Sequence, residues 1–284
     1  MAIKSIGVVG AGQMGSGIAQ VAAAVGYKVF LYDIDQGVLA CQVAGIKNRL
    51  EKAVSKGKLE AAEVGKIIGR ITTVTALAQI KDADFVIEAA TENPKIKEEI
   101  FKSLDEVCRA ETILASNTSS ISITKIAGWT GRADRVIGMH FMNPVPVMTL
   151  IEGIRGLGTS DATVDAMKEV AEKLGKTVVM AKDSPGFVVN RILMPMVNEA
   201  IFALQEGLAS VEDIDQAMKL GTNQPMGPLT LADFVGLDTC LAIQEVLHRE
   251  FGDDKYRPAP LLRKYVDAGW LGRKSGRGFY RYDK

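Results

Sequence analysis

The stretch that decides the fold is residues 6–17, which read IGVVGAGQMGSG. It contains the pattern G-x-G-x-x-G directly after a β-rich run and at the start of a helical one. In that setting Gly10 permits a tight turn, Gly12 lets the backbone approach a pyrophosphate, and Gly15 allows the helix to pack closely on the sheet. A bare strand-to-helix turn is the alternative, but the complete context favours a dinucleotide-binding βαβ unit. The loop residues expected to contact the cofactor are Gly10, Ala11, Gly12, Gln13, Met14 and Gly15.

An acidic residue after the second predicted strand indicates which dinucleotide binds. Asp33 follows the run at 28–32 and lies eighteen residues after Gly15, where a carboxylate can accept hydrogen bonds from the adenosine ribose hydroxyls. A carboxylate there would repel a 2′-phosphate, and no arginine follows it directly, so we expect NAD rather than NADP. FAD binds to the same type of unit, but nothing further in the chain indicates a flavin pocket. Asp35 is expected to be an ordinary solvated loop acid.

Strand and helix patterns alternate from residue 3 to about residue 181. The predicted strands are 5–9, 28–32, 85–88, 112–115, 136–139 and 177–180, and helical periodicity occupies 13–25, 95–108 and 161–174. Apolar strands with little polar alternation are typical of a parallel sheet that is covered on both faces. The predicted fold class is therefore α/β, with a Rossmann-like doubly wound sheet.

The pattern changes at the Pro-Gly pair formed by Pro185 and Gly186, which breaks regular structure after a strand. Beyond it we find helical runs at 188–205, 211–220 (with Ser210 as the N-cap), 229–251 and 261–268, and no convincing strand until the end. We therefore predict an NAD-binding domain over 1–184 and an all-helical substrate and dimerisation domain over 185–284. The helices are unusually apolar for so small a domain, which favours a homodimer.

The composition excludes several classes of protein. Thirty-four basic residues balance thirty-four acidic ones, so nothing indicates binding to nucleic acid or to an anionic membrane. Three widely spaced cysteines predict neither a disulfide framework nor a metal site. No apolar run approaches the ~20 residues that span a bilayer, and the chain runs directly into a strand without a recognisable targeting segment. A cytoplasmic protein is expected.

The two histidines of the chain limit where histidine chemistry can occur. His140 ends a predicted strand, where open α/β sheets present groups to ligands, and Glu152 follows twelve residues later. A carboxylate beside an imidazole fixes its tautomer and stabilises the imidazolium that forms when it takes a proton. An alcohol dehydrogenase needs such a pair, although a purely structural histidine is the alternative. His248, in a helical run beside charged residues, is expected to be structural.

Several motifs along the chain then point to one family. They are GAGQMG (10–15), EAATEN (88–93), ASNTSS (115–120), HFMNP (140–144), PGFVVNR (185–191), MGP (226–228) and GRKSGRGFY (272–280). By their order and spacing the sequence resembles the L-3-hydroxyacyl-CoA dehydrogenase family across essentially its whole length, and within it the short bacterial 3-hydroxybutyryl-CoA dehydrogenases.

The resemblance implies a role for each matching residue. His140 would be the general acid/base and Glu152 its orienting partner, while Ser119 and Asn190 would bind the reacting oxygen or the thioester carbonyl. The cofactor contacts that it adds to Asp33 are Glu92, Lys97, Asn143 and Lys274. From their surroundings in the sequence alone, Lys97 would be a solvated helix lysine and Lys274 an ordinary turn cation. Ser116 could serve only to shape the loop that presents Ser119.

The resemblance also implies a coenzyme A substrate. The segment 47–58 carries five cations against one acid; Lys56 matches a CoA-contacting lysine, and Arg49 stands where the family has a contacting serine. Two further departures, Thr149 for lysine and Met142 for phenylalanine, bear on the acyl pocket rather than on the chemistry. We expect NAD-dependent, reversible oxidation of 3-hydroxybutyryl-CoA to acetoacetyl-CoA. The alternatives are a β-hydroxyacid dehydrogenase for free acids, which commonly uses a catalytic lysine, and a binding or structural protein on a retired dehydrogenase scaffold.

Overall fold

The first structural unit is built around an extended β-sheet. The computed structural model describes residues 3–282 and divides into two compact units between Ser184 and Pro185. Within the described part of the first unit, the sheet has eight strands. They are β1 (Ser5–Val9), β2 (Lys28–Tyr32), β3 (Ile71–Val74), β4 (Phe85–Glu88), β5 (Ile113–Ser116), β6 (Val136–Phe141), β7 (Leu150–Arg155) and β8 (Thr177–Lys182).

The strand order is β3-β2-β1-β4-β5-β6-β7-β8. Strands β1 to β6 are parallel, whereas β7 pairs antiparallel with β6 and carries β8 parallel to itself. The chain winds outward in one direction from β1 to β3 and then in the other from β4 onward. The carboxyl ends of β1 and β4 therefore flank the point at which the winding reverses, where open α/β sheets bind their ligands.

Helices cover the sheet of this unit. They are α1 (Gln13–Ala24), α2 (Gln36–Ser55), α3 (Ala61–Gly69), α4 (Pro94–Val107), α5 (Ile123–Ala127) and α6 (Asp161–Lys173). Ile18 of α1 and Met167 of α6 belong to the same buried cluster as Ile6 and Leu31 of the sheet. Every residue of β1, β4, β5 and β6 is buried, as strands covered on both faces must be. The predicted doubly wound α/β fold is confirmed.

Two strands were not predicted, and each has a physical reason. Strand β3 lies at an edge of the sheet with two exposed threonines, so it lacks the continuous apolar run that marks a central strand. Strand β7 contains Glu152 and Gly153; a Cβ at Gly153 would lie 2.5 Å from the Met167 methyl carbon, so helix packing requires the residue that breaks the pattern. Strand β6 also extends to Phe141, two residues beyond the predicted end at residue 139, so His140 lies within the strand.

The second unit is helical. Its helices are α7 (Val189–Gln205), α8 (Val211–Gly221), α9 (Pro228–Val235), α10 (Leu237–Phe251) and α11 (Pro260–Asp267), and the 3-10 turns are Asp254–Tyr256 and Arg273–Ser275. Between Pro185 and Tyr282, the extent of this unit that is described, β-structure is limited to isolated bridges at Gly272, Arg277 and Arg281. A separate apolar cluster, which includes Val197, Leu229, Leu237 and Leu262, forms the core of this unit.

The continuous helix predicted over 229–251 is wrong. Gly236 ends α9 and begins α10 with φ 103° and ψ 125°, a conformation that glycine alone adopts readily. An isolated glycine in a helical pattern is often tolerated, but in this structure Gly236 separates two helices. The predicted cap of α8 is present, since the Ser210 side chain accepts from the Asp213 backbone N–H. No helix in the described chain, residues 3–282, is both long enough and apolar enough to cross a membrane.

Candidate active site

The glycine loop after β1 has the shape of a dinucleotide cradle. Gly10 has φ 95°, and a Cβ there would lie 2.5 Å from the Ala90 Cα. A Cβ at Gly15 would lie 1.8 Å from the Gly10 carbonyl oxygen, whereas a Cβ at Gly12 would meet nothing within 4 Å. Gly10 and Gly15 are therefore required by the protein's own packing. Gly12 faces open space instead, so a pyrophosphate can approach the protein backbone closely at this residue.

The start of α1 is suited to a pyrophosphate. Its N-cap is Gly12, which contributes no side-chain hydrogen bond, and its first turn contains no acidic residue. The first N–H groups of a helix lack intrahelical partners and carry positive partial charge, so they favour an anion. Gln13 and Met14 begin this turn. The loop therefore fits the phosphates of a dinucleotide.

Asp33 is tied directly to this loop. One carboxylate oxygen accepts from the Ala11 N–H at 2.8 Å, and the other accepts from the Asp35 N–H at 3.1 Å. These bonds hold the carboxylate at the end of β2, beside the glycine loop. Asp35 is exposed in the loop before α2, as expected, and its side chain also caps that helix by accepting from the Gly37 and Val38 N–H groups at 2.7 and 3.2 Å.

A buried ion pair lies where β4 and β5 end. Lys97 of α4 is 1% exposed and Glu88 is fully buried, and the Lys97 ammonium is bound to the Glu88 carboxylate. Ser116 donates to the same carboxylate at 2.8 Å, and the Ala90 N–H donates to its other oxygen at 2.9 Å. The alternative that Lys97 is a solvated helix lysine is therefore wrong, because its charge is held in the interior.

The loop after β5, residues 117–120, carries Ser119 and is held by two carboxylates. Ser116, bound to Glu88, accepts from the Thr118 N–H at 3.2 Å. Glu92 accepts from the Thr118 hydroxyl at 2.7 Å and from the Ser119 N–H and hydroxyl at 2.7 and 3.1 Å. The structure thus brings Glu92 and Ser119 together, and Ser116 shapes the loop that presents Ser119.

His140 and Glu152 are cross-strand neighbours on β6 and β7. The His140 Nδ1 lies 2.8 Å from a Glu152 carboxylate oxygen, with the histidine side chain 10% exposed and the glutamate side chain 1% exposed. The chain reverses direction between β6 and β7, so these two residues, twelve apart in sequence, lie opposite each other. The register of the antiparallel pair therefore aligns their side chains. This arrangement holds the imidazole at one nitrogen and can stabilise its protonated form.

The sheet order brings the candidate residues of the first unit into one row. The glycine loop follows β1, the segment from Glu88 to Glu92 begins at the last residue of β4, the serine loop follows β5, and His140 is the last residue but one of β6. These four strands are adjacent in the order β1, β4, β5, β6. Asn117 joins the last two by accepting from the Phe141 N–H at 2.8 Å. Asn143 is exposed two residues beyond the end of β6.

Asn190 and Lys274 belong to the second unit. Asn190 is the second residue of α7, and Lys274 is in a 3-10 turn near the end of the second unit. Both Asp238 oxygens accept from the Lys274 ammonium, at 2.5 and 2.6 Å. Burial alone would raise the pKa of Asp238, but the hydrogen bond from Lys274 and the backbone N–H groups outweigh it and hold the pKa below its ordinary value. Lys274 is therefore more than an unpaired turn cation.

The basic segment 47–58 covers the end of α2. Lys56 is the exposed C-cap of that helix, whereas the Arg49 side chain donates from Nε to Gln20 at 2.7 Å. His248 lies in α10 with its Nε2 3.3 Å from an Asp254 oxygen. Among residues 3–282, no cluster of three or more His, Cys, Asp or Glu side chains could hold a metal ion.

Two residues that organise the site were not singled out from sequence. Glu88 closes an apolar strand, and Asn117 follows another; they belong to the motifs EAATEN (88–93) and ASNTSS (115–120). A polar residue at the carboxyl end of a buried parallel strand is the feature that could have identified them.

Comparisons with known proteins identify the family. The model of the 3-hydroxyacyl-CoA dehydrogenase NAD binding domain matches residues 5–184, and that of the C-terminal domain matches residues 186–282. A relative from Bacillus subtilis named "Probable 3-hydroxybutyryl-CoA dehydrogenase" is 58% identical over 100% of this chain and 99% of its own length. The human "Hydroxyacyl-coenzyme A dehydrogenase, mitochondrial" is 45% identical over 99% of this chain and 91% of its own.

A solved structure shows the same likeness in three dimensions. The (S)-3-hydroxybutyryl-CoA dehydrogenase PaaH1 from Ralstonia eutropha superposes with a TM-score of 0.97 at 54% identity, and the match covers 100% of both chains. The resemblance inferred from the motifs is confirmed. The chain belongs to the 3-hydroxyacyl-CoA dehydrogenase family of NAD-dependent oxidoreductases, and residues 5–184 are its NAD-binding domain.

Proposed function

We propose that this protein catalyses the reversible conversion of (3S)-3-hydroxybutyryl-CoA to acetoacetyl-CoA with NAD. The observation that carries the proposal is the His140–Glu152 pair, 2.8 Å apart and shielded from solvent, in the sheet whose carboxyl end holds the glycine loop. The names of the relatives support the same substrate pair.

The bound NAD supplies a hydride acceptor in one direction and a hydride donor, as NADH, in the other. In oxidation, His140 takes the proton of the 3-hydroxyl group; in reduction, its imidazolium returns that proton to the carbonyl oxygen. Because Nδ1 is held by Glu152, Nε2 is the nitrogen that exchanges the proton. A positioned acid/base of this kind contributes roughly 10²–10⁴ in rate.

Glu152 is proposed to act on His140 rather than on the substrate. Its carboxylate fixes one tautomer and one ring orientation, and it stabilises the cation that forms when the proton arrives. The burial of Glu152, at 0% exposure for the residue, supports this role because the interactions of a carboxylate are stronger away from water.

Ser119 and Asn190 are proposed to bind the reacting oxygen or the thioester carbonyl. Both are neutral and can stabilise charge on oxygen without titrating. The hydrogen bonds from Ser119 to Glu92 support a defined position for its hydroxyl group. For Asn190 the support is the matching motif at 185–191.

The proposed cofactor contacts outside the glycine loop are Asp33, Glu92, Lys97, Asn143 and Lys274. The bond from Ala11 to Asp33 supports a ribose site beside the loop. Lys56 is proposed to bind a phosphate of coenzyme A as a flexible point charge. Arg49 is proposed as a second contact, with its remaining guanidinium nitrogens as the donors, since its Nε is bound to Gln20.

Initial rates with four substrate combinations test the proposal. Acetoacetyl-CoA and free acetoacetate would each be assayed with NADH and with NADPH. We expect kcat/KM to be far higher for the thioester. NADH should be preferred over NADPH by on the order of 10²-fold, because like charges brought together at Asp33 cost several kcal/mol. Equal use of free acetoacetate would refute the CoA assignment and favour the free-acid alternative.

We also propose a homodimer in which residues 185–284 supply the subunit contact and bind substrate; residues 283 and 284 lie outside the described part. The support is exposed apolar surface on this unit, including Ile192, Leu208 and Leu220 at 68%, 77% and 74% exposure. Light scattering coupled to gel filtration should give the mass of two chains. A single-chain mass at micromolar concentration would refute the dimer.

A further inference from the structure

Helix α7 begins in an unusual backbone conformation. Gly186 has φ 73° and the next residue, Phe187, has φ 49°. A positive φ is easy for glycine but unfavourable for a residue with a large side chain, and it persists only where the surroundings enforce it. Asn190, the proposed oxygen ligand, follows three residues later in the first turn of the helix. The position of its amide therefore depends on whatever enforces this turn.

The usual side-chain devices for starting a helix are missing from α7. Its N-cap is Val188, which makes no side-chain cap hydrogen bond, and its first turn has no acidic residue. In α8 of the same unit, by contrast, the Ser210 side chain accepts from a backbone N–H and two acids occupy the first turn. Side chains in these positions normally define the first turn of a helix. In α7 that definition has to come from tertiary contacts.

Arg191 provides such a contact. Its guanidinium carbon lies 4.1 Å from the centroid of the Phe251 ring and 5.8 Å from that of Tyr256. The two rings stack on each other with their centroids 4.9 Å apart. A planar guanidinium over an aromatic face combines stacking with attraction between the cation and the ring quadrupole. The first turn of α7 is thus joined to the end of α10.

The left-handed turn is seated on the same helix. The Arg191 backbone N–H donates to the Gly186 carbonyl at 3.0 Å, and a Cβ at Gly186 would lie 2.8 Å from a Leu247 methyl carbon. Leu247 and Phe251 are four residues apart in α10, so they share one face of that helix. Gly186 and Arg191 therefore contact adjacent turns of α10, and Asn190 lies between these two residues in the chain.

We propose that Arg191 is a positioning residue that fixes the amide of Asn190 through its stack on Phe251 and Tyr256. The inference rests on the proposed role of Asn190 in binding the reacting oxygen. In this role Arg191 acts on the reaction through Asn190. Removing the guanidinium or the ring beneath it frees the first turn of α7, and the amide then spends less time in the productive position.

The test uses Arg191→Met, Arg191→Lys and Phe251→Leu, with kcat, KM for acetoacetyl-CoA and the Kd of NADH as readouts. The contact is worth about 0.5–2 kcal/mol, which corresponds to a loss of roughly 2–30-fold in kcat/KM for R191M and F251L. R191K keeps the charge without the planar group, so its kcat/KM should lie between that of R191M and that of the parent. The Kd of NADH should stay within about twofold, because neither Arg191 nor Phe251 is among the proposed cofactor contacts.

Arg257 offers a matched control in the same unit. Its guanidinium carbon lies 5.1 Å from the Phe202 ring centroid, so R257M also removes an Arg–aromatic contact, but away from the start of α7. R257M should lower the thermal midpoint about as much as R191M while leaving kcat/KM within about twofold. Equal kinetic losses in R257M and R191M would overturn the inference, because they would reflect general destabilisation of the unit.

A double variant separates this inference from the role of Asn190. If Arg191 acts only through that amide, N190A/R191M should be no slower than N190A alone. Multiplicative losses in the double variant would overturn the positioning role and leave the proposed function intact. Turnover near that of the parent in N190A would instead refute the role of Asn190 in the proposed function, whatever R191M does.

Discussion

The buried Lys97–Glu88 pair allows a quantitative prediction about stability. Lys97→Met removes the charge but keeps an unbranched apolar chain, and it leaves the Glu88 carboxylate, at 0% exposure, without its cation. Breaking a buried ion pair by removing one partner costs about 3–5 kcal/mol. Ser116 and the Ala90 N–H still donate to this carboxylate, at 2.8 and 2.9 Å, so we expect the lower end, about 3 kcal/mol.

Urea unfolding of the first unit, followed by circular dichroism in the absence of NAD, measures this cost. A matched control lies on the same helix: Lys102 pairs with Glu98 at 2.7 Å with side-chain exposures of 55% and 38%, and Lys102→Met should cost less than about 0.5 kcal/mol. The double variant Glu88→Gln/Lys97→Met removes both charges and should recover most of the loss. Equal costs for K97M and K102M, or a double variant less stable than K97M, would refute the reasoning.

Three other perturbations test the site, the sheet and the thiols. His140→Gln should retain the NADH affinity of the parent by fluorescence titration while kcat falls by roughly 10²–10⁴; near-normal turnover would rule out the proton role. Burial alone would raise the pKa of Asp84, but hydrogen bonds from the backbone at residues 4 and 5 and from an arginine hold it below its ordinary value. The stabilisation from Asp84 is therefore present above an unfolded-state pKa of about 3.9 and lost as pH falls through the folded-state value. Asp84→Asn should lower the unfolding free energy at pH 7 by about 1–2 kcal/mol but not near pH 2, and an equal loss at both pH values would contradict this. Burial raises the pKa of Cys108 to about 11 and that of Cys240 to about 12, so a thiol reagent at pH 8 should titrate only the exposed Cys41 in the native protein and all three cysteines in urea.

Local pattern was sufficient for the sheet domain and its cofactor. The glycine spacing at 10, 12 and 15, the following Asp33 and the run of apolar strands each depend on neighbours within a few residues. Turn conformation and strand burial are short-range properties, and for that reason sequence predicted them. The edge strand β3 and strand β7 were not predicted because their apolar patterns are interrupted. Exposed threonines interrupt β3, and Glu152 and Gly153 interrupt β7.

Tertiary structure alone decided how the polar groups of the site are paired. Both His140 and Glu152 were predicted from the sequence, but their contact follows from the register between β6 and β7. From the sequence, Lys97 was predicted to be either a cofactor contact or a solvated lysine. In the folded chain it is buried and paired with Glu88.

The α/β class, the position of the glycine loop and the family of this chain could all be inferred from patterns in the sequence. Tertiary structure decided which charges lose contact with water, which strand carries Glu152 opposite His140, and where α9 stops at Gly236. The physical reason is that these outcomes depend on groups brought together from distant parts of the chain. Their desolvation and contact energies do not exist until the chain has folded.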